Sequence, residues 1–222
     1  MIPAVISHLR TLLLLLLAAV PALARDSDSI AVLERRELAV ERSAVSPSHH
    51  LRLTLAYLEG GGWAPEAILA AVRESAPILG QCGVALANVE LVSIDAPVRF
   101  RDFHTPVSRE LARVLPLGKP TVYFVFGTRQ RPAFDAEAIG RGNSRTRPEL
   151  RDTVWVTRGT RDLGIVLAHE LTHLLMDSGE HSEAPGNLMR DDTAPENTRL
   201  SEAQCARLRE TGTANNLLQQ LR

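Results

Sequence analysis

The residues with the clearest chemical potential are His169-Glu170-Leu171-Thr172-His173. Two histidines four positions apart share one helix face, so their ring nitrogens can meet at a single cation. Zinc accepts imidazole nitrogen, is usually tetrahedral, and in catalytic sites keeps one position open beside three protein ligands. Glu170 directly follows the first histidine, so it borders such a metal without ligating it. From there it can take a proton from a water that the metal acidifies toward a pKa of about 7. The spacing predicts one Zn2+ held by His169 and His173, with Glu170 as general base.

A third ligand has several sources. His181 comes eight residues after His173, beyond Gly179, and can fold back toward the metal. Glu196 or Glu202 on a later segment would complete the site in another way, while Asp177 and Glu180 are nearer but sit at the outgoing helix end, where reach is poor. Met189, in Asn187-Leu188-Met189, lies eight residues beyond His181. His49, His50 and His104 are isolated and read as solvated surface groups, and His8 lies in the leading segment.

These residues need elements to hold them. Leu163, Val166, Leu167, Leu171, Leu174 and Leu175 recur at helical spacing, which predicts a helix over 162–177 with a broad apolar face and Gly179 as its stop. A last helix is expected from the N-cap Ser201 to Gly212. Upstream, 51–58 alternates apolar and polar residues and predicts a strand with one buried face. Ala64-Pro65-Glu66 opens a helix that Pro77 is expected to kink or end. Strands follow at 84–94, 120–126 and 153–157, with 96–119 as loop plus a short helix and 133–151 as loop plus a short edge strand around 136–142. Residues 26–45 place Ile30, Leu33 and Leu38 at helical spacing, a surface helix or partly ordered leader that breaks at Ser46-Pro47-Ser48. The fold class is α+β, a small twisted mixed β-sheet with an N-terminal helix, the motif-bearing helix and a C-terminal helix.

The opening of the chain has the form of an export signal. Arg10 precedes the apolar run Leu12–Val20 and the small-residue site Ala22-Leu23-Ala24, and the run is far short of the ~20 residues that span a bilayer. Domains are expected as a signal peptide at 1–24, a leader at 25–48 and a catalytic domain at 49–222, with a periplasmic or extracellular destination. The mature chain would have 198 residues and a formal charge of −2, which argues against nucleic acid and charged membrane surfaces as partners. A monomer acting on protein or peptide is the expectation. In an oxidising compartment the two cysteines, Cys82 and Cys205, are candidates for one disulfide or for two separately buried thiols.

The stretch 169–189 resembles the metzincin clan of zinc endopeptidases, whose pattern is H-E-x-x-H-x-x-G-x-x-H followed by a methionine turn. The resemblance implies His169, His173 and His181 as ligands, Glu170 as base and Met189 as the turn residue beneath the metal. Ser182 after the third histidine, and the spacing from His181 to Met189, look most like the matrixin branch. It further implies a substrate bound extended along an edge strand. One departure is plain: Met176 stands at the clan's glycine position, and seven residues separate His173 from His181 where the clan has five. The outgoing helix is therefore expected to run about half a turn further before reversing.

Overall fold

A computed structural model of the chain describes residues 29–38 and 46–221. The expected signal peptide, and much of the expected leader, lie outside these residues. Among the described residues no helix is long and apolar enough to cross a membrane.

The elements run β1 (Ala31–Leu38), β2 (His49–Leu58), α1 (Pro65–Gly80), β3 (Val84–Asp95), β4 (Asp102–Phe103), α2 (Thr105–Val114), β5 (Thr121–Val125), β6 (Gly127–Thr128), β7 (Ala136–Ile139), β8 (Thr153–Thr157), α3 (Leu163–Met176), α4 (Glu202–Ala214) and β9 (Leu218–Gln220). The main sheet has the order β1-β3-β2-β5-β8-β7, with β9 added beside β2. The pairs β3–β2, β2–β5 and β5–β8 are parallel, whereas β1, β7 and β9 pair antiparallel. This mixed sheet with helices around it is the expected α+β class.

Two readings of local structure are corrected. Residues 31–38 are a strand, not a helix, and a bulge between Val32 and Glu34 explains the misleading spacing. The bulge leaves Leu33 half exposed while Val32 packs under the sheet and Leu38 above it, so the alternation that marks a strand is lost. In β2 both faces are buried. Leu51, Leu53, Leu55 and Tyr57 meet the layer of α1, α3 and α4, while Ala56 and Leu58 face a second core on the other side.

That second core is built from aromatic residues. Trp155 stacks on Tyr123 at 4.2 Å between ring centres and meets Phe103 edge-on at 4.9 Å. Its indole N–H donates to Thr153 Oγ1 at 2.9 Å, so the buried ring leaves no polar atom unpaired. α1 continues through Pro77 to Gly80, with Ile78 and Leu79 buried beyond the proline. α1 also packs closely on α3, because Gly164 has no Cβ: one there would sit 2.4 Å from Glu74 Cβ. A disulfide between Cys82, just past α1, and Cys205 in α4 ties these two helices together.

Candidate metal centre

α3 is apolar nearly all round, and Gly164 through Met176 are buried. A helix of that kind sits inside the molecule rather than on it. It therefore takes its three ionisable groups, His169, Glu170 and His173, out of water; they are 3%, 8% and 9% exposed. Burying them calls for partners.

Each histidine has one on its outer nitrogen. His169 Nδ1 lies 2.8 Å from the carbonyl oxygen of Leu188, and His173 Nδ1 lies 2.7 Å from that of Ser178. A carbonyl can only accept, so Nδ1 carries the proton in both rings and each Nε2 presents a lone pair. These lone pairs face each other: Nε2 to Nε2 is 2.9 Å between His169 and His173, and 3.2 Å between His173 and His181. Acceptors this close repel unless a cation lies between them. Three nitrogens around tetrahedral zinc at 2.0–2.1 Å would stand about 3.3 Å apart, within a few tenths of what is seen. Among the described residues, His169, His173 and His181 are the group whose donor atoms could hold a metal, all within 4.8 Å of one another. The donor set fits zinc.

How His181 arrives follows from the end of α3. Asp177 adopts the left-handed conformation (φ 46°, ψ 47°), and the bonds Asp177 N to Leu174 O and Ser178 N to His173 O close the helix. The reversal thus comes one residue after Met176, the position of the motif's glycine. Asp177 Oδ1 accepts the Gly142 N–H at 3.1 Å, fixing the helix end to the loop after β7. Residues 178–180 then turn back, with Glu180 paired to Arg207 at 2.6 Å, and deliver His181. His181 Nδ1 lies 3.4 Å from Asp191 Oδ1. Past it, Ser182 N donates to Met189 O at 2.7 Å, and Met189 is buried in the hydrophobic core.

Burial sets the electrostatics. It pushes His173 down to about 4, helped by neighbouring His169 and His181 and opposed by the Ser178 carbonyl. His169 is lowered for the same first reason, against the Leu188 carbonyl. Burial raises Glu170 to about 8, with a hydrogen bond from the Ala138 backbone opposing and the charge of Glu137 adding. Both imidazoles therefore stay neutral, as ligands must be. A dication among them would draw the carboxyl back toward its ionised form.

The three histidines and Glu170 line a cleft of about 810 Å³, with Ala136–Ala138 of β7 along one wall. Among the described residues β7 pairs with β8 on one side and with no strand on the other, and its residues 136–138 line the same cleft as the histidines.

The remaining sequence candidates lie elsewhere. Glu196 is exposed in a loop, and Glu202 is exposed on α4 and paired with Arg209 at 3.2 Å. His49, expected on the surface, is buried at the start of β2 with its Nδ1 2.9 Å from Ser48 Oγ. Sequence reasoning missed the carbonyls of Leu188 and Ser178, which carry no residue-type signal, and Ala138. It also missed Gln204, although Ser201 and Gln204 are spaced as a capping box, which the structure forms.

No family model and no curated protein sequence matches this chain. Among solved structures, it is similar to metalloproteinase-II from Bacteroides fragilis, with a TM-score of 0.54, 18% identity and coverage of 79% of this chain. The match spans 57% of that protein's length, and at this identity it shows a common fold: a mixed sheet over helices, here with three histidines gathered at its edge-strand cleft.

Proposed function

We propose that this protein is a zinc-dependent endopeptidase whose ligands are His169, His173 and His181. The observation that carries the reading is the convergence of three imidazole Nε2 atoms beside a buried glutamate, on the floor of a cleft along a free strand edge. When bound, zinc supplies Lewis acidity to the attacking water and the scissile carbonyl. Glu170 accepts the proton of that water and returns it to the leaving amine. Burial makes its carboxylate a stronger base, and a dication held by the histidines would keep it ionised so that it can accept that proton; the metal-holding group itself comprises the three histidines without Glu170. The peptide lies extended and pairs its main chain with β7, as strands added to sheet edges do. Met189 serves as the turn residue under the site, and residues 1–24 direct export. The likeness to the matrixin branch rests on Ser182 and the distance from His181 to Met189.

The test joins metal analysis to hydrolysis of an unfolded protein. Wild type should carry one zinc and cleave. Glu170→Ala should keep the zinc and lose cleavage, and His181→Ala should lose both. Cleavage by Glu170→Ala at the wild-type rate would overturn the mechanism. Retention of metal and activity by His181→Ala would move the third ligand elsewhere.

A further inference from the structure

His169 and His173 solve the same problem by different means. His173 donates to Ser178, in the turn that ends its own helix, so its acceptor arrives with the helix. His169 donates to Leu188, nineteen residues along the chain, so its acceptor must be positioned by something outside α3. If that carbonyl drifts, the Nδ1 proton loses its partner and the ring loses both its tautomer and its aim.

The turn bearing Leu188 is held from α4. Asn187 Nδ2 donates to Gln204 Oε1 at 2.9 Å, and Gln204 Nε2 donates back to Asn187 Oδ1 at 3.1 Å. Asn187 Oδ1 also accepts the backbone N–H of Met189 at 2.9 Å. The carbonyl of Leu188 lies between the two residues whose atoms are fixed in this way. On the other side, Leu188 N donates to Arg199 O at 2.7 Å, so the peptide groups flanking that carbonyl are bonded. Asn187 is 8% exposed, so its amide has little water to turn to if Gln204 is lost. Gln204 is itself anchored, because its Oε1 accepts from Ser201 N at 2.8 Å and its own N–H donates to Ser201 Oγ at 3.2 Å. The neighbouring Cys205 bonds α4 to Cys82, which keeps this first turn in place.

We infer that the reciprocal amide pair of Asn187 and Gln204 is a positioning device for the metal centre: it fixes the Leu188 carbonyl, which sets the tautomer and orientation of His169. Neither residue touches the metal or the reacting atoms; they are positioning residues acting through His169. The inference rests on the zinc reading of the site. Outer partners of ligating histidines typically change metal affinity 10–100-fold when removed.

Gln204 has two roles, cap and clamp, and two substitutions separate them. Gln204→Glu keeps the acceptor that caps α4 but sets a carboxylate oxygen against Asn187 Oδ1, which breaks the return bond. Ser201→Ala weakens the cap and leaves the amide pair whole. Zinc affinity is measured by competition with a chelator, beside thermal melting of the metal-free proteins and the visible spectrum of the cobalt-substituted ones. The expected result is at least a tenfold loss of zinc affinity and a changed cobalt spectrum in Gln204→Glu, with metal-free melting lowered no further than in Ser201→Ala. Ser201→Ala should melt earlier and bind zinc within twofold of wild type. Gln204→Met, which keeps the chain length without the amide, should lose affinity like Gln204→Glu, and serves if the glutamate variant folds poorly. Wild-type affinity in either Gln204 variant, or an equal loss in Ser201→Ala, would overturn the clamp while leaving the zinc site intact. Absence of zinc from the wild type would overturn the proposed function and the clamp with it.

Discussion

Replacing Cys82 and Cys205 together by alanine should remove about 4–5 kcal/mol of stability. The bond closes a stretch of 123 residues. In the chain-entropy relation a loop of that length costs the unfolded chain about 16 cal/mol/K, or about 5 kcal/mol at 25 °C. Both cysteines are buried, at 0% and 3% exposure, so truncation also leaves small voids that add to the loss, while residual structure in the cross-linked unfolded chain subtracts from it. Against the 5–15 kcal/mol that hold an ordinary domain together, this leaves the variant marginal. Guanidinium unfolding followed by tryptophan fluorescence reads the difference, since Trp155 is fully buried and becomes solvated on unfolding. Zinc must be held at one concentration in both titrations, because a ligand that binds the native state adds its own stabilisation. A loss below about 1.5 kcal/mol would refute the reasoning, and would mean that the contacts of Leu208 and Gly212 with the core hold α4 without the tether.

Three other outcomes are expected. Gly140→Ala would place a Cβ 2.5 Å from Asp177 Oδ1, so it should cost roughly 1–3 kcal/mol and slow hydrolysis, and Asp177→Gly in the same chain should recover most of the stability by removing both the clash and a left-handed aspartate; an unchanged melting temperature in Gly140→Ala would contradict this. His49 is lowered from 6.5 by burial and then by Arg209, so the unfolded chain takes up its proton first: the contribution of His49 to stability is complete above pH 6.5 and is lost as pH falls below it. His49→Gln should therefore lose less stability than wild type between pH 7 and 5, and parallel pH profiles for the two would exclude the assignment. Stripping metal with a chelator should lower the melting temperature and restoring zinc should raise it, because the metal joins three imidazoles that otherwise repel; melting indifferent to zinc would count against the site.

Legibility in the sequence was uneven, and for physical reasons. α3 could be read almost to the residue, 162–177 against Leu163–Met176, because its apolar spacing and its histidine pair each demand a helix. His181 could be read only in combination with that pair. Its approach depends on Asp177 adopting a left-handed conformation, a role usually given to glycine, so the place of the reversal carried no glycine signal. β1 was hidden by its bulge and by charges such as Arg35, which pairs across to Glu90 on β3 at 2.9 Å. β9 has three residues and takes its register wholly from His49–Leu51, so nothing local announces it. The second core escaped notice because Phe100, Phe103 and Trp155 come from separate short segments that only the sheet assembles. The clamp of Asn187 and Gln204 was half legible: the cap was written in the spacing, its partner was not.

β9 has a consequence for how the chain folds. Its residues 218–220 pair with 49–51, across nearly the whole described length, and the disulfide joins 82 to 205 in the same sense. A folding chain can stack β2, β3, β5 and β8 on one another, yet the first residues of β2 stay open on one side until residues 218–220 pair with them. Such distant closure is slow, and an unfilled strand edge invites pairing with another chain meanwhile. Chains truncated before residue 218 should therefore be the aggregation-prone species, and pairing of residues 218–220 with 49–51 the event that closes the sheet.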